Sequence, residues 1–493
     1  MRTIVEQIFE HGRKHPDKLA LLDGTNTMTY REVCQGILAV SDRLKKEYAM
    51  EKGDAVILAA DKQLSFVTVY FACHLSGIIV LPMAPDTNDR RFRLIYDKVR
   101  PKLVIGFDKA AVNCRVAALS AFETLDKESG FTEMEPFSFP SPMDIADIIF
   151  TTGTTGEPKG VQLTQKNIAA AAGNINSFVE NREEDVEMLA LPISHSFGLG
   201  RMRCALSKGQ TLVILGSFAN MKRFFRFMEK YHVTGFGMVP ASWAMIKKLS
   251  DIKIQEYAGQ LRYIEIGSSP MPMEDKQLLI RILPDTRICM HYGLTEASRS
   301  CFIEFHKDAG HLDTVGKQSP NMHVEIRNEE GKNIPNGQEG EICVKGDAVT
   351  LGYYQMEEEN KASFFGDYFR TGDWGIRDAQ GYIRLISRKK ELINVGGKKV
   401  SPAEVEEVLK DMPQIRDCVC VGMPDPEGIL GEVVKAYVVL EDMKLDNGFE
   451  DISREVGKVL EGYKVPVAYE EIKEVPRTSS GKVQRLSLKK KTK

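Results

Sequence analysis

The chain has 493 residues, of which 43% are hydrophobic and 27% charged, and its formal net charge is -3. That length exceeds one ordinary hydrophobic core, so two or more domains are expected, with the composition of a globular protein. The near-neutral balance excludes broad electrostatic attraction to nucleic acid or to anionic lipid.

Taken in chain order, the N-terminus MRTIVEQIFEHGRKHPDK alternates apolar and charged residues at helical spacing and lacks the unbroken apolar core of a secretion signal. Segments 55–60, 145–150, 211–215 and 263–266 are short, β-rich and bounded by Gly, Asp or Ser, so each reads as an interior strand. Their alternation with helical stretches predicts an α/β fold: a large N-terminal domain of layered, mainly parallel sheets covered by helices. Apolar runs such as 77–84 fall well short of the roughly 20 residues that a membrane helix needs. No membrane span and a cytoplasmic location are therefore expected. Residues 315–346 alternate apolar side chains with turn signals at 328–331 and 335–337, as a small antiparallel β subdomain would.

A boundary is expected near Arg388, giving an N-terminal domain over 1–387 and a small α+β C-terminal domain over 388–493. Ser401, Pro402, Ala403 and Glu404 read as a capping box with proline at the first helical position, opening a helix through Val405 and Leu409. Strands at 418–422 and 433–440, a helix at 452–460 and a strand near 469–472 complete that domain. Nine cysteines without a C-x-x-C pair or a histidine cluster read as reduced thiols, with no zinc site. Cys418 and Cys420 are spaced to share one strand face, where small buried side chains are the ordinary reading. The lysines at 489–491 and 493 read as a solvated tail.

The most informative stretch is 148–163, IIFTTGTTGEPKGVQL. An apolar strand leads into Thr151, Thr152, Gly153, Thr154, Thr155 and Gly156, which offer four hydroxyls and two unencumbered backbones to an anion, and Lys159 adds a cation. A nucleotide-hydrolase P-loop needs Gly-Lys-Ser/Thr followed by a helix. Here the Gly and Ser/Thr positions hold Pro158 and Gly160, and residues 161–164 read as a second short strand. Composition alone leaves a polar turn between two strands as the alternative.

Three further segments come in order: HYGLTEA at 291–297, YFRTGDWGIRDAQGYIRLISR at 368–388 and PRTSSGKVQR at 476–485. With the threonine-rich stretch, the set resembles the signature of the adenylate-forming (AMP-binding) superfamily, most like acyl-CoA synthetases, and the resemblance runs across nearly the whole chain. It implies a fold in which a small mobile C-terminal domain rotates over a large one carrying most of the site. It also implies ATP-dependent attack of a carboxylate on the α-phosphate, giving an acyl-adenylate and pyrophosphate, then transfer to a thiol. Such chemistry asks for donors, cations and alignment more than for a nucleophilic side chain.

The resemblance carries roles onto residues one by one. Residues 151–156 and Lys159 would hold the β- and γ-phosphates. Tyr292 would offer a flat face to adenine, Thr295 a hydroxyl to the α-phosphate and Glu296 a hard oxygen to Mg2+. Asp373 and Arg388 are placed like the ribose acceptor and donor, and the turn of residues 378–381 would bring them together. Lys482 is the cation expected to act in adenylation. Lys390 occupies the hinge position, and Gly397 falls where the pantetheine channel would run, since glycine lets a thiol chain approach the backbone closely.

His195 resembles the gate between acyl pocket and nucleotide, with Ser196 next to it. Amino-acid-activating relatives carry an aspartate there for the α-ammonium group, and Ser196 cannot supply that charge. The departure argues against an α-amino acid and for a fatty, aryl or other simple carboxylic acid. Residues 237–240 and 267–271, including Gly267, Ser268 and Ser269, would line the acyl pocket. No carrier domain follows Lys482, so coenzyme A is the expected acceptor, and loading of a separate carrier protein by an acyl-AMP ligase is the alternative. A hydrolase releasing phosphate, a degenerate binding module and a luciferase-like oxidase are the rival readings; the module should have lost Glu296, Asp373, Arg388 or Lys482, and all four are present.

Overall fold

The computed structural model describes residues 1–61, 63–107, 113–123, 138–152, 158–389, 391–396, 398–427, 429–441, 448–477 and 483–489. It divides into two compact units, Met1–Val324 with Val344–Phe369, and Glu325–Cys343 with Arg370–Lys493. No helix among the described residues is long and apolar enough to cross a membrane.

The first unit is built on two large sheets. In the nine-stranded one, Leu19–Leu22, Thr211–Ile214, Val186–Leu189, Gly235–Met238, Tyr263–Ile266 and Arg287–Tyr292 run parallel. Antiparallel strands Thr27–Thr29 at one side, and Cys301–Glu304 with Lys317–Gln318 at the other, complete it. Tyr263–Ile266 is buried along its whole length, as a strand covered on both faces must be. Helices close one face with an aromatic core that includes Phe224, Phe236 and Trp243, all fully buried.

In the seven-stranded sheet, Arg115–Ala117, Leu103–Ile105, Ala55–Ala59, Ile79–Met83 and Ile145–Thr152 are parallel. Ile145–Thr152 then pairs antiparallel with Pro158–Thr164, in a register running from Ile145 opposite Thr164 to Thr152 opposite Pro158. The expected pair of strands flanking the threonine-rich connection is therefore present. Gly352–Tyr353 adds to the far side of Pro158–Thr164. Every interior strand expected from the sequence forms within two residues of its expected ends.

In the second unit, the Tyr368–Arg377 strand pairs antiparallel with Ile383–Arg388, and the Asp378 carboxylate accepts from the Gln380 and Tyr382 amides in the turn between them. Further on, Ile415–Pro424 pairs antiparallel with Glu432–Leu440, which runs parallel to Ala468–Glu471. Helices Pro402–Lys410 and Phe449–Val459 pack on this sheet. Cys418 and Cys420 share one face and join Val405, Leu409, Val434 and Ala436 in its core, while Val419 and Val421 pack on the opposite face with Tyr437 and Leu488. Burying Val405 and Leu409 fully contributes about 1.5–3 kcal/mol each.

The capping box expected at Ser401 and Glu404 does not form. Ser401 is the N-cap residue, but its hydroxyl donates to the Ile386 carbonyl at 2.8 Å instead of capping its own helix. Glu404 turns outward to Lys464, 2.6 Å away. Proline at the first helical position still sets the helix start, since the amide it lacks would have had no partner there.

Candidate active site

The ends of the threonine-rich stretch are fixed by the hairpin. Thr151 is half-buried, and its Oγ1 lies 3.5 Å from the Lys159 carbonyl across the ladder. Thr152 pairs with Pro158. Gly153, Thr154, Thr155 and Gly156 lie outside the described residues, as do Lys390, Gly397 and Lys482. The Lys159 ammonium forms an ion pair with Glu359 and stands 5.0 Å from the centre of the Tyr353 ring.

Tyr353 connects this cation to the second motif. Its hydroxyl donates to Glu296 Oε1 at 2.8 Å. The backbone supports the same link: the Thr350 amide donates to the Glu296 carbonyl at 2.8 Å, Ala297 bridges Val349, and the Tyr354 amide donates to the Gly160 carbonyl at 2.7 Å. Asn360 clamps Tyr353 from the other side, accepting from its amide at 2.6 Å and donating to its carbonyl at 2.9 Å. The half-buried Glu296 side chain has no protein partner on its second oxygen among the described residues. A carboxylate oxygen left open in this way suits Mg2+, which binds through one or two carboxylates together with substrate phosphates and water. The residues present therefore fit the ion that the motif implies.

Thr295 and Ser196 face one another, with hydroxyl oxygens 3.4 Å apart. Ser196 opens the Ser196–Lys208 helix, and His195 precedes it as an exposed N-cap residue. Tyr292 ends the Arg287–Tyr292 strand, half-buried. Gly267 is buried directly after the Tyr263–Ile266 strand; Ser268, exposed, adopts φ of 77°, and Ser269 is half-buried.

Behind these residues lies a buried, paired array that the motifs do not announce. Arg201 donates to Glu187 from both Nε, at 2.8 Å, and Nη2, and to Glu265 Oε2 at 3.0 Å. Glu265 Oε1 accepts from Arg299 Nε at 3.0 Å and lies 2.7 Å from His291 Nδ1. Arg299 also donates to the Ser196 and Phe197 carbonyls, at 3.4 and 3.3 Å, and so ties the gate segment to the HYGLTEA turn. Phe197 packs edge-on against His291, with centroids 4.7 Å apart.

Burial by itself would raise the Glu265 carboxyl, but Arg299, His291 and Arg201 together hold it well below the usual carboxylate range. Burial lowers His291 and outweighs the pull of Glu265, so the ring is neutral. With two guanidiniums against two carboxylates, the array carries no net charge. Both shifts mean that the folded state binds fewer protons than the unfolded one, so stability is full above the unfolded values and falls with pH. The His291 contribution begins to be lost below its ordinary 6.5, and that of Glu265 below 4.5. The urea midpoint of the first unit is expected to fall between pH 7 and 5.5, and His291→Gln should flatten that slope; an equal slope in the variant would refute the assignment.

The second unit carries the Asp373 and Arg388 hairpin. Asp373 lies opposite Arg388 in the hairpin, and Arg388 Nε is 2.7 Å from Asp373 Oδ1. Asp373 is 2% exposed, whereas Arg388 is exposed. Arg388 also donates to the Thr371 carbonyl at 3.2 Å, and the Asp373 amide donates to Thr371 Oγ1 at 3.1 Å. The turn thus does bring the two ribose-type residues together.

All nine cysteines are free. Burial pushes the thiols of Cys34, Cys204, Cys343 and Cys418 up to about 12, so none of these is a thiolate nucleophile near neutral pH.

The AMP-binding enzyme family model matches residues 8–354, and the AMP-binding enzyme C-terminal domain matches 404–482. A 2-succinylbenzoate–CoA ligase of Bacillus velezensis is 29% identical, over 97% of this chain and 96% of its own. A fatty acid–[acyl-carrier-protein] ligase, ScoC, of Streptomyces coeruleorubidus is 26% identical over 99% and 96%. Among solved structures, ATP-bound MatB from Rhodopseudomonas palustris superposes with a TM-score of 0.88 at 24% identity, covering 99% of both chains. That likeness concerns the fold.

Proposed function

The chain belongs to the AMP-binding enzyme family, and from that premise we propose that it activates a carboxylic acid, fatty or aryl rather than amino, through an acyl-adenylate, and passes the acyl group to coenzyme A. The observation that carries this reading is the Tyr353 link: its ring lies near a phosphate-type cation, Lys159, and its hydroxyl donates to a metal-type carboxylate, Glu296. CoA ligases among the relatives, including those acting on 2-succinylbenzoate and oxalate, support coenzyme A as acceptor, while ScoC keeps a carrier protein as the alternative.

In this reading Thr151, Thr152, residues 153–156 and Lys159 grip the β- and γ-phosphates, and the Thr295 hydroxyl donates to the α-phosphate. Tyr292 packs on adenine, and Asp373 and Arg388 address the ribose. A bound Mg2+ would supply neutralisation of the phosphate charge. Glu296 would hold that ion through the oxygen that the Tyr353 hydroxyl does not occupy. Lys482 steadies the charge that develops between carboxylate and α-phosphate. Lys390 serves as hinge and Gly397 lines the thiol path. Ser196 at the gate leaves an α-ammonium group without a counter-charge. The free thiols agree with a reducing, cytoplasmic compartment.

Carboxylate-dependent exchange of pyrophosphate into ATP tests the first step, and comparison of coenzyme A with holo carrier protein tests the second. Release of inorganic phosphate without a carboxylate would sink the proposal. Tyr353→Phe is expected to raise the Mg2+ needed for half-maximal exchange about tenfold. Water-proton relaxation with Mn2+ and ATP should show the same weakening of ion binding without turnover; an unchanged metal affinity would mean Tyr353 does not aim Glu296.

A further inference from the structure

A half-buried guanidinium, that of Arg91, stands where the threonine-rich stretch leaves its sheet. Arg91 lies in the first turn of the Asp89–Val99 helix, whose start is capped by Asn88: the Arg91 amide donates to Asn88 Oδ1 at 2.9 Å. The apolar face of that helix, Phe92, Ile95 and Val99, packs into the same core as Ile148 and Phe150 of the Ile145–Thr152 strand. Helix and strand are thereby fixed against one another, and Arg91 Nη2 donates to the Phe150 carbonyl at 3.1 Å. That carbonyl belongs to the peptide bond that opens Thr151. Thr151 in turn lies opposite Lys159 in the hairpin ladder. Two cationic residues thus bracket the point at which residues 151–156 begin.

Their charges are met differently. Lys159 has Glu359, and the buried Arg201, Arg203 and Arg299 each have a carboxylate partner. Arg91 has none among the described residues, and the Phe150 carbonyl occupies only one of its donor nitrogens. Burial pulls its guanidinium below the ordinary value, and no described acid pulls it back. A cation drawn partly out of water without a partner is unfavourable until an anion comes to it. Capping a carbonyl asks for one donor and no charge, so the fold leaves the arginine's charge and its other donors unused.

We propose that Arg91 is a further triphosphate-binding residue, taking the β- or γ-phosphate of ATP, and then pyrophosphate, with the donors that the Phe150 carbonyl leaves over. This rests on the adenylating reading above, in which residues 151–156 and Lys159 hold those phosphates. A planar fork suits the task, since one arm can stay on the strand while another meets phosphate oxygens. AMP lacks both phosphates, so Arg91 separates triphosphate from monophosphate and has no part in holding the adenylate once pyrophosphate has gone.

The test is calorimetric binding of α,β-methylene-ATP, whose α–β link is not cleaved, of pyrophosphate and of AMP, each with Mg2+, to the full chain and to Arg91→Gln and Arg91→Lys. Glutamine keeps an N–H for the Phe150 carbonyl but no charge, and lysine keeps the charge. Arg91→Gln is expected to weaken α,β-methylene-ATP and pyrophosphate by at least about tenfold, the scale of one charge-assisted hydrogen bond, with AMP held within about twofold. Its urea midpoint should match the parent's. Arg91→Lys should fall between parent and Arg91→Gln. Unchanged affinities in Arg91→Gln, or an equal loss for all three ligands, would reduce Arg91 to a carbonyl cap and overturn the proposal while leaving adenylation standing. A parent that holds α,β-methylene-ATP no more tightly than AMP would overturn the phosphate cradle itself, Arg91 included.

Discussion

Lys482→Ala is expected to slow formation of the acyl-adenylate by about 10²–10³-fold, the cost of removing one charge-stabilising donor. Conversion of a supplied acyl-adenylate to thioester should stay within a few-fold of the parent. The asymmetry arises from the chemistry of the two steps. The first spreads negative charge over phosphate oxygens as the carboxylate attacks, and in the proposed reading the Lys482 ammonium relieves it. In the second a thiol displaces AMP from an acyl carbon, and no pyrophosphate leaves. Single-turnover measurements of each half-reaction check this. Equal loss in both would show that Lys482 does something other than serve adenylation.

The second large effect concerns stability. Glu265→Ala should destabilise the first unit by about 3–5 kcal/mol, because it leaves Arg299 and one branch of Arg201 buried without their carboxylate. The substitution also removes the anchor that lets Arg299 hold the Ser196 and Phe197 carbonyls. At temperatures where the variant remains folded, KM for the acid should rise more than KM for ATP. The measurement is a urea titration followed by fluorescence, with the first-unit transition compared at constant m-value. A midpoint shift worth less than about 1 kcal/mol would mean the array is not energetically coupled as its distances imply.

Much of the fold was legible because its signals are local. Apolar runs such as 145–150 and 263–266 needed only their own composition and flanking turn residues to read as strands. The hairpin carrying Asp373 and Arg388 was legible for the same reason, since a turn with glycine separates two alternating segments. The features that escaped are non-local. Glu187, Arg201, Glu265, His291 and Arg299 come from three strands, a helix and a turn, and no spacing along the chain links them. One clue was present: Glu265 is an acid inside an otherwise apolar, fully buried strand, which demands a cationic partner. Tyr353 and Glu359 escaped likewise, because their partners Glu296 and Lys159 lie 57 and 200 residues away. The cap expected at Ser401 is a smaller case. A serine hydroxyl takes the best acceptor in reach, and the Ile386 carbonyl belongs to a different element.

The ion pair between Lys159 and Glu359 has a bearing on which anions the protein will accept. A lysine that already leans on a partly exposed carboxylate of its own chain gains less from a passing chloride or a simple monoanion, because that pair is given up in exchange. A polyphosphate tail brings several charges at once and can evict it. If Lys159 grips the phosphates as proposed, Glu359 is the partner it must leave when they bind and the one within reach when pyrophosphate departs.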